Sequence, residues 1–131
     1  LGLGLNLLWL AVGTAVSRAK RDEAVNPEDV RMNSKASVVF LAGNEVTQRF
    51  RRAHSNALEN NLLFLITAFL LTLTPVGTTT VAVLFGIFVG FRWLHSIAYV
   101  RSIQPLRTAS FGIAFFTQVG VLGLLGYGVF A

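Results

Sequence analysis

The segment RFRRAHSNALEN at positions 49–60 places arginine, amide and carboxylate side chains at helical spacing directly before an apolar run. One polar stripe, within about 80 degrees on an ideal helix, contains Arg49, Arg52, Asn56 and Glu59. A guanidinium binds a carboxylate or phosphate through two parallel hydrogen bonds. An ionised carboxylate facing lipid is costly, so the stripe must face the bundle interior, an arginine partner or a polar ligand. The two interpretations are an internal salt-bridge network and a ligand site.

A second polar set lies in the third apolar segment and just before the fourth. Arg92, His95 and Tyr99 share one helix face through spacings of three and seven residues. Arg107 opens the fourth helix shortly after a proline, and Arg18 lies at the same end of the first segment. Each arginine alone is explained by anchoring its helix at a membrane surface. Arginines from all four helices at one depth predict a pocket for an anionic ligand.

Other chemistries lack the residues they need. The chain has no cysteine, which excludes disulfides, thiolate metal sites and cysteine nucleophiles. His54 and His95 do not have a metal-ligand spacing, and His54 lies about 160 degrees from Asn56, facing away from the stripe. Ser55, Ser96 and Ser110 lack the nucleophile-elbow sequence that would mark a catalytic serine. We therefore expect neither a bound metal ion nor serine chemistry.

The composition is that of a membrane protein. Of 131 residues, 53% are hydrophobic and 13% are charged, and the mean hydropathy is +0.63, outside the range of a soluble domain of this length. Every charged residue falls between Arg18 and Glu59 or between Arg92 and Arg107. The net charge of +5 therefore reflects basic loops between apolar runs rather than a nucleic-acid-binding domain.

The apolar runs predict four transmembrane helices, which position these side chains. The expected fold is therefore an all-α integral membrane protein whose four helices form a single domain. The expected helices are at about 1–21, 45–74, 76–101 and 106–131, with a loop at about 22–44. With four spans, both charged loops lie on one side, and the positive-inside rule places that side in the cytosol. Because the sequence begins with leucine, we expect its true start to be missing.

Arginines at the cytosolic end of such a bundle suit a small zwitterionic peptide with two carboxylates. Glutathione meets this description. Its thiol would become thiolate more readily beside an arginine, because a nearby cation lowers a thiol pKa. The helices would supply an apolar path from the bilayer for a lipid-soluble electrophile. Other anionic ligands fit the same composition.

Four segments carry a resemblance to a known family: VNPED at 25–29, RFRRAHSNALEN at 49–60, FRWLHSIAYV at 91–100 and PLRTASF at 105–111. Together they resemble the membrane-associated proteins in eicosanoid and glutathione metabolism, nearest to the branch of microsomal glutathione transferases and microsomal prostaglandin E synthases. The resemblance implies a homotrimer of four-helix subunits that binds glutathione between neighbouring subunits near the cytosolic face.

The resemblance also implies roles for individual residues. Arg107 would stabilise the glutathione thiolate, and Asp29 would take part in proton transfer. The positions implied to contact or frame glutathione are Arg18, Arg52, Asn56, Glu59, His95, Tyr99, Arg107 and Thr108.

Four positions depart from the prostaglandin branch of the family. That branch has serine and tyrosine where this chain has Thr108 and Phe111, and RTASF is nearer the transferase pattern. Ser55 stands in place of an arginine, and Asn6 in place of a lysine. The first two departures favour a transferase over an isomerase.

Three functions are compatible with the sequence. The first is a membrane-bound glutathione transferase acting on hydrophobic electrophiles, with glutathione peroxidase activity as an extension. The second is a glutathione-dependent isomerase of a lipid endoperoxide, and the third is a non-catalytic lipid-binding or accessory subunit. The expected partners are glutathione, a hydrophobic electrophile or lipid substrate, membrane lipid and further copies of the chain, with no nucleic acid. The expected location is the endoplasmic reticulum or outer mitochondrial membrane of a eukaryote, or the inner membrane of a bacterium.

Overall fold

Four helices make up most of the chain. In the computed structural model, which describes residues 1–31, 35–39 and 43–130, the helices are α1 (Gly2–Ala19), α2 (Glu45–Leu71), α3 (Thr78–Val100) and α4 (Gln104–Phe130). The connection between α1 and α2 contains strand β1 (Glu23–Ala24), a 3-10 helix (Pro27–Arg31) and strand β2 (Ser37–Val38). The four helices predicted from the apolar runs are therefore present.

The short parallel pair of β1 and β2 departs from the all-α expectation. Backbone groups hold the two segments together, since the amides of Ser37 and Val39 donate to the carbonyls of Asp22 at 2.9 Å and Ala24 at 2.8 Å. Pairing these groups satisfies part of the backbone in a long connection. The pair closes the base of the loop between α1 and α2.

Local chemistry sets the helix ends at the charged end of the bundle. Asn44 caps α2, because its side-chain oxygen accepts from the amides of Val46 at 2.9 Å and Thr47 at 3.1 Å. After α3, Ser102 adopts a left-handed φ of 61°, which ends the helix. Pro105 lies in the first turn of α4, where a missing amide hydrogen costs little. These ends place several polar side chains side by side.

The helices pack through two apolar clusters. In the larger one, Phe64 of α2 and Phe88 of α3 stack with ring centroids 3.7 Å apart and planes 3° apart. Both rings are 2% exposed, and they pack beside the fully buried Leu71 and Val121. The smaller cluster contains Leu10, Ala53 and Ala57. Alanines at this contact let α1 and α2 approach closely near the polar end.

The outer surface of the bundle is apolar. Within the described ranges, α3 and α4 are each long and apolar enough to cross a membrane. Outward-facing side chains such as Val83, at 54% exposed, and Phe116, at 72%, would meet lipid. The 18-residue α1 and the charged first half of α2 are less apolar. The number of spans therefore stays a prediction.

Polar side chains join the helices inside the bundle. Gln118 of α4 donates to the hydroxyl of Thr67 on α2 at 3.0 Å. Ser96 of α3 donates to the side-chain oxygen of Asn6 on α1 at 3.1 Å. Interhelical hydrogen bonds of this kind fix helix rotation in an apolar surround. Asn6, which stands where the resemblance expects lysine, is fully buried and is therefore part of the packing.

A hydrogen-bonded clasp, formed by Ser17, Glu23, Asn44 and Thr47, ties the loop to the start of α2. The Glu23 carboxylate accepts from the Asn44 amide at 2.6 Å, the Asn44 side chain at 3.1 Å and the Thr47 hydroxyl at 3.3 Å. Ser17 and Thr47 exchange a further hydrogen bond at 2.9 Å. The clasp therefore joins the end of α1, the loop base and the α2 cap.

Candidate functional site

A cationic recess of about 210 Å³ lies where α2 and α4 begin and α3 ends. We call it the Arg107 recess. Its lining residues are Glu45, Arg49, Arg52, Tyr99, Ser102, Gln104 and Arg107. Its guanidiniums outnumber its single carboxylate. Such a lining favours an anionic ligand that also carries a cationic group.

Arg107 is held in place by its neighbours from α3. Its guanidinium carbon lies 4.8 Å from the centre of the Tyr99 ring, in a cation–π contact. His95 Nδ1 lies 3.1 Å from the Arg107 carbonyl oxygen, so Nδ1 carries a proton and donates it to that oxygen. The His95 ring also packs edge-on to Tyr99 at 5.8 Å. His95 thus ties α3 to the first turn of α4 from behind the recess.

Arg49 and Arg52 enter the recess from the polar stripe of α2. Arg49 pairs with Glu45 one turn earlier, while Arg52 donates to the side chain of Gln48 at 3.5 Å. Arg52 also lines a neighbouring recess of about 310 Å³ with Gln48, Arg51 and Ser55. It is therefore exposed and lines both cavities.

Asn56 turns from the recess towards the bundle interior. The fully buried Arg92 donates to the Asn56 side-chain oxygen at 2.9 Å and to its carbonyl at 3.2 Å. Among the described residues, Arg92 Nε and Nη1 have no hydrogen-bond partner. The sequence pattern grouped Arg92 with His95 and Tyr99, but the implied ligand set omitted it. An arginine deep in an apolar helix was the signal for this contact.

Arg18 and Asp29 lie in a different part of the chain. They line a recess of about 310 Å³ together with Asp22 and Glu23. Asp29 is exposed, and its carboxylate accepts from the Asn26 amide at 3.2 Å. Within one chain, these residues are therefore not part of the Arg107 recess.

His54 lines a fourth recess and not the Arg107 recess. It has a volume of about 380 Å³ and is lined by residues that include Arg18, Arg51 and His54. Its position matches the helical angle of His54, which points away from Asn56.

Glu59 and Thr108 are exposed, and neither lines the Arg107 recess. Glu59 lies about two turns beyond Arg52 on the same face of α2. Of the residues implied by the resemblance, one chain thus brings together Arg52, Tyr99 and Arg107. His95 supports them, and Glu45, Ser102 and Gln104 line the same recess without having been predicted.

An aromatic track of Phe111, Phe115 and Phe116 runs along α4 from His95, which lies behind the recess. Phe111 contacts the His95 ring at 5.8 Å and stacks with Phe115 at 6.3 Å, and Phe115 meets Phe116 at 5.5 Å. All three phenylalanines are exposed. Since α4 is one of the membrane-length helices, the track connects the lipid-facing surface with His95, behind the recess.

Nothing in the described part of the chain resembles a metal centre. No group of three or more histidine, aspartate or glutamate side chains there is arranged to hold a metal ion. The lining of the Arg107 recess supplies guanidinium, phenol and carboxylate groups.

Comparisons with known proteins agree on one family. Residues 1–127 match the MAPEG family. A rat protein named microsomal glutathione S-transferase 1 is 37% identical over 92% of this chain and 77% of its own length. The pig protein of the same name is 36% identical over 92% of this chain and 77% of its own length. The human protein of that name is 34% identical over 83% of this chain and 72% of its own length.

Proposed function

The chain belongs to the MAPEG family, and from that premise we propose that it is a membrane-bound glutathione transferase. The observation that carries the proposal is the Arg107 recess, where guanidiniums from α2 and α4 meet beside an aromatic track on a membrane-length helix. Relatives that share a third or more of its residues are named microsomal glutathione S-transferase 1, which supports glutathione as the peptide substrate.

The lining of the recess complements the charges of glutathione. Arg49 and Arg52 bind its carboxylates, and Glu45 attracts its ammonium group. Arg107 lies on the opposite wall, contributed by α4, with Tyr99 against its guanidinium. A fixed cation at that position stabilises the thiolate form of the bound peptide.

The reaction needs only binding, thiolate stabilisation and delivery of the electrophile. The thiol proton passes to solvent, and the thiolate sulfur attacks an electrophilic carbon. As the carbon–sulfur bond forms, the bond to the leaving group breaks and that group departs with the electron pair. The exposed rings of Phe111, Phe115 and Phe116 offer an apolar surface for a hydrophobic electrophile that enters from the bilayer.

A homotrimer with four spans per subunit would complete the site. One chain separates Arg18 and Asp29 from Arg107, and Glu59 and Thr108 face outward. A neighbouring copy placed against α2 would bring its own Arg18 region to these residues. Asp29 would then assist the release of the thiol proton to solvent at the edge of the shared site.

An isomerase function finds less support in the site. Phe111 has no hydroxyl where the prostaglandin branch has tyrosine, and its ring packs against His95 instead. No feature of the described residues favours a purely accessory role over binding of an anionic peptide.

The test is glutathione-dependent conjugation of a chromogenic aryl halide by the purified protein. Arg107→Ala should lower kcat/KM by about 100-fold, because it removes the charge that stabilises the thiolate. Arg21→Ala is the matched control, since Arg21 is exposed in the loop and lines none of the described recesses. Gel filtration in detergent checks that both variants fold. Wild-type activity in a folded Arg107→Ala protein would contradict the proposal.

A further inference from the structure

A narrow groove between α1 and α3 has no role in the proposed reaction. It has a volume of about 270 Å³ and is lined by Trp9, Trp93, Ile97, Val100 and Arg101. It shares no lining residue with the Arg107 recess. We call it the tryptophan groove.

The two indole rings of the groove are held rigidly. Trp93 donates from its ring nitrogen to the Gly2 carbonyl at 3.0 Å, which satisfies its polar atom and fixes its orientation. Trp9 lies against Trp93 with centroids 5.8 Å apart and against Phe50 at 5.7 Å. The walls of the groove are therefore formed before any ligand arrives, so little ordering accompanies binding.

Arg101 gives the groove one charged end. It follows the last residue of α3 and is exposed. Within the described ranges, no carboxylate pairs with its guanidinium. A free guanidinium at the edge of an apolar groove favours an amphiphile with an anionic head.

The groove opens onto a lipid-facing surface. Along α1, Leu5, Leu8 and Val12 are 49%, 62% and 59% exposed. On α3, a membrane-length helix, Ile97 is 37% exposed. Tryptophan and arginine are the side chains that anchor helices at the level of lipid headgroups. The surroundings of the groove thus match the boundary between headgroup and acyl chain.

We propose that the tryptophan groove binds one phospholipid with a net negative headgroup. Its phosphate pairs with Arg101, and an acyl chain lies across Trp9, Trp93 and Ile97. The inference is independent of the transferase activity, because it uses no residue of the Arg107 recess. A second copy of the chain covering the groove is the competing occupant, and the experiment separates the two.

The chain carries its own reporter, since its two tryptophans both line the groove. The wild-type protein is reconstituted into phosphatidylcholine vesicles that contain a minor fraction of lipid with brominated acyl chains. The brominated lipid is either phosphatidylglycerol or phosphatidylcholine. Bromine quenches tryptophan fluorescence only at close range. Binding should favour brominated phosphatidylglycerol about fivefold, and high salt should weaken that preference.

Variants assign the preference to the groove. Arg101→Gln should bring quenching by the two brominated lipids to equality. Lys20→Gln, which removes an exposed cation at the end of α1, should keep the wild-type ratio. Trp93→Phe, read through Trp9 alone, should still show the preference.

Three results would overturn the proposal. The first is equal quenching of the wild-type protein by both lipids, and the second is an unchanged preference in Arg101→Gln. The third is the absence of quenching by either lipid, which would mean that another copy of the chain covers the groove. If Arg101→Gln does not fold, the test is the salt dependence of the lipid preference in the wild-type protein.

Discussion

Arg92 places a guanidinium in the bundle interior, where a single residue supplies its hydrogen-bond acceptors. Among the described residues, Asn56 alone accepts hydrogen bonds from its guanidinium, and the side chain is fully buried. A buried charge that loses its partner destabilises a protein more than apolar replacement of both groups. Arg92 and Asn56 therefore act as a unit that fixes α3 against α2.

Replacing one member of this unit should lower the free energy of unfolding more than replacing both. Asn56→Leu leaves the Arg92 guanidinium with only the backbone carbonyl of residue 56 as acceptor, and it should lower the free energy of unfolding by about 2 kcal/mol. Adding Arg92→Met to Asn56→Leu should recover part of that loss, because the buried charge is gone. Detergent-induced unfolding followed by circular dichroism measures both variants. Strictly additive losses would show that the two residues are not coupled.

At the scale of residues, the sequence placed each polar side chain on a face of its own helix. Spacing alone was enough to group Arg49 with Arg52 and to turn His54 away from them. It could not predict that Asn56 meets Arg92, because that contact depends on how α3 is rotated against α2. To predict a contact between two helices, one must know how both helices pack.

Among the elements, α2 does most to position the site. Its first half carries the polar stripe, and its start is held by the clasp of Ser17, Glu23, Asn44 and Thr47. The Asn44 cap fixes where the helix begins and hence where Arg49 and Arg52 point. The loop base and the recess are therefore mechanically linked.

Opening the clasp should expose the loop to proteolysis. Asn44→Ala removes the cap and one bond to Glu23, which costs about 1 kcal/mol. Trypsin, acting on the basic residues of the loop, should then cut about fivefold faster than in the wild-type protein. Asn26→Ala is the control because Asn26 is exposed and outside the clasp. Equal cleavage rates in all three proteins would contradict the role of the clasp.

The helices were predictable as elements because long apolar runs leave few alternatives in a membrane. The β1–β2 pair and the clasp were not, since each joins residues that are distant in the sequence. No local pattern marks Glu23 as the partner of Asn44. Their pairing depends on the path of the whole loop.

Across the whole molecule, the charged side chains lie in separate recesses. Arg18 and Asp29 line one recess, while Arg52 and Arg107 line another. The proposed homotrimer would bring recesses of adjacent chains together, and exposed apolar side chains on α2 and α4 are available for lipid or for a neighbour. The sequence analysis named Arg18, Asp29, Arg52 and Arg107 as site residues, but the arrangement of copies depends on surfaces that spacing cannot describe.

In the proposed transferase, glutathione is held as a thiolate beside Arg107. The most direct test is ultraviolet difference absorbance of the glutathione thiolate when the peptide is added to the purified protein at neutral pH. The wild-type protein and Arg21→Ala should show the thiolate band, and Arg107→Ala should show none at saturating glutathione. A band of equal strength in Arg107→Ala, or bound glutathione without a band in the wild-type protein, would show that Arg107 does not stabilise the thiolate.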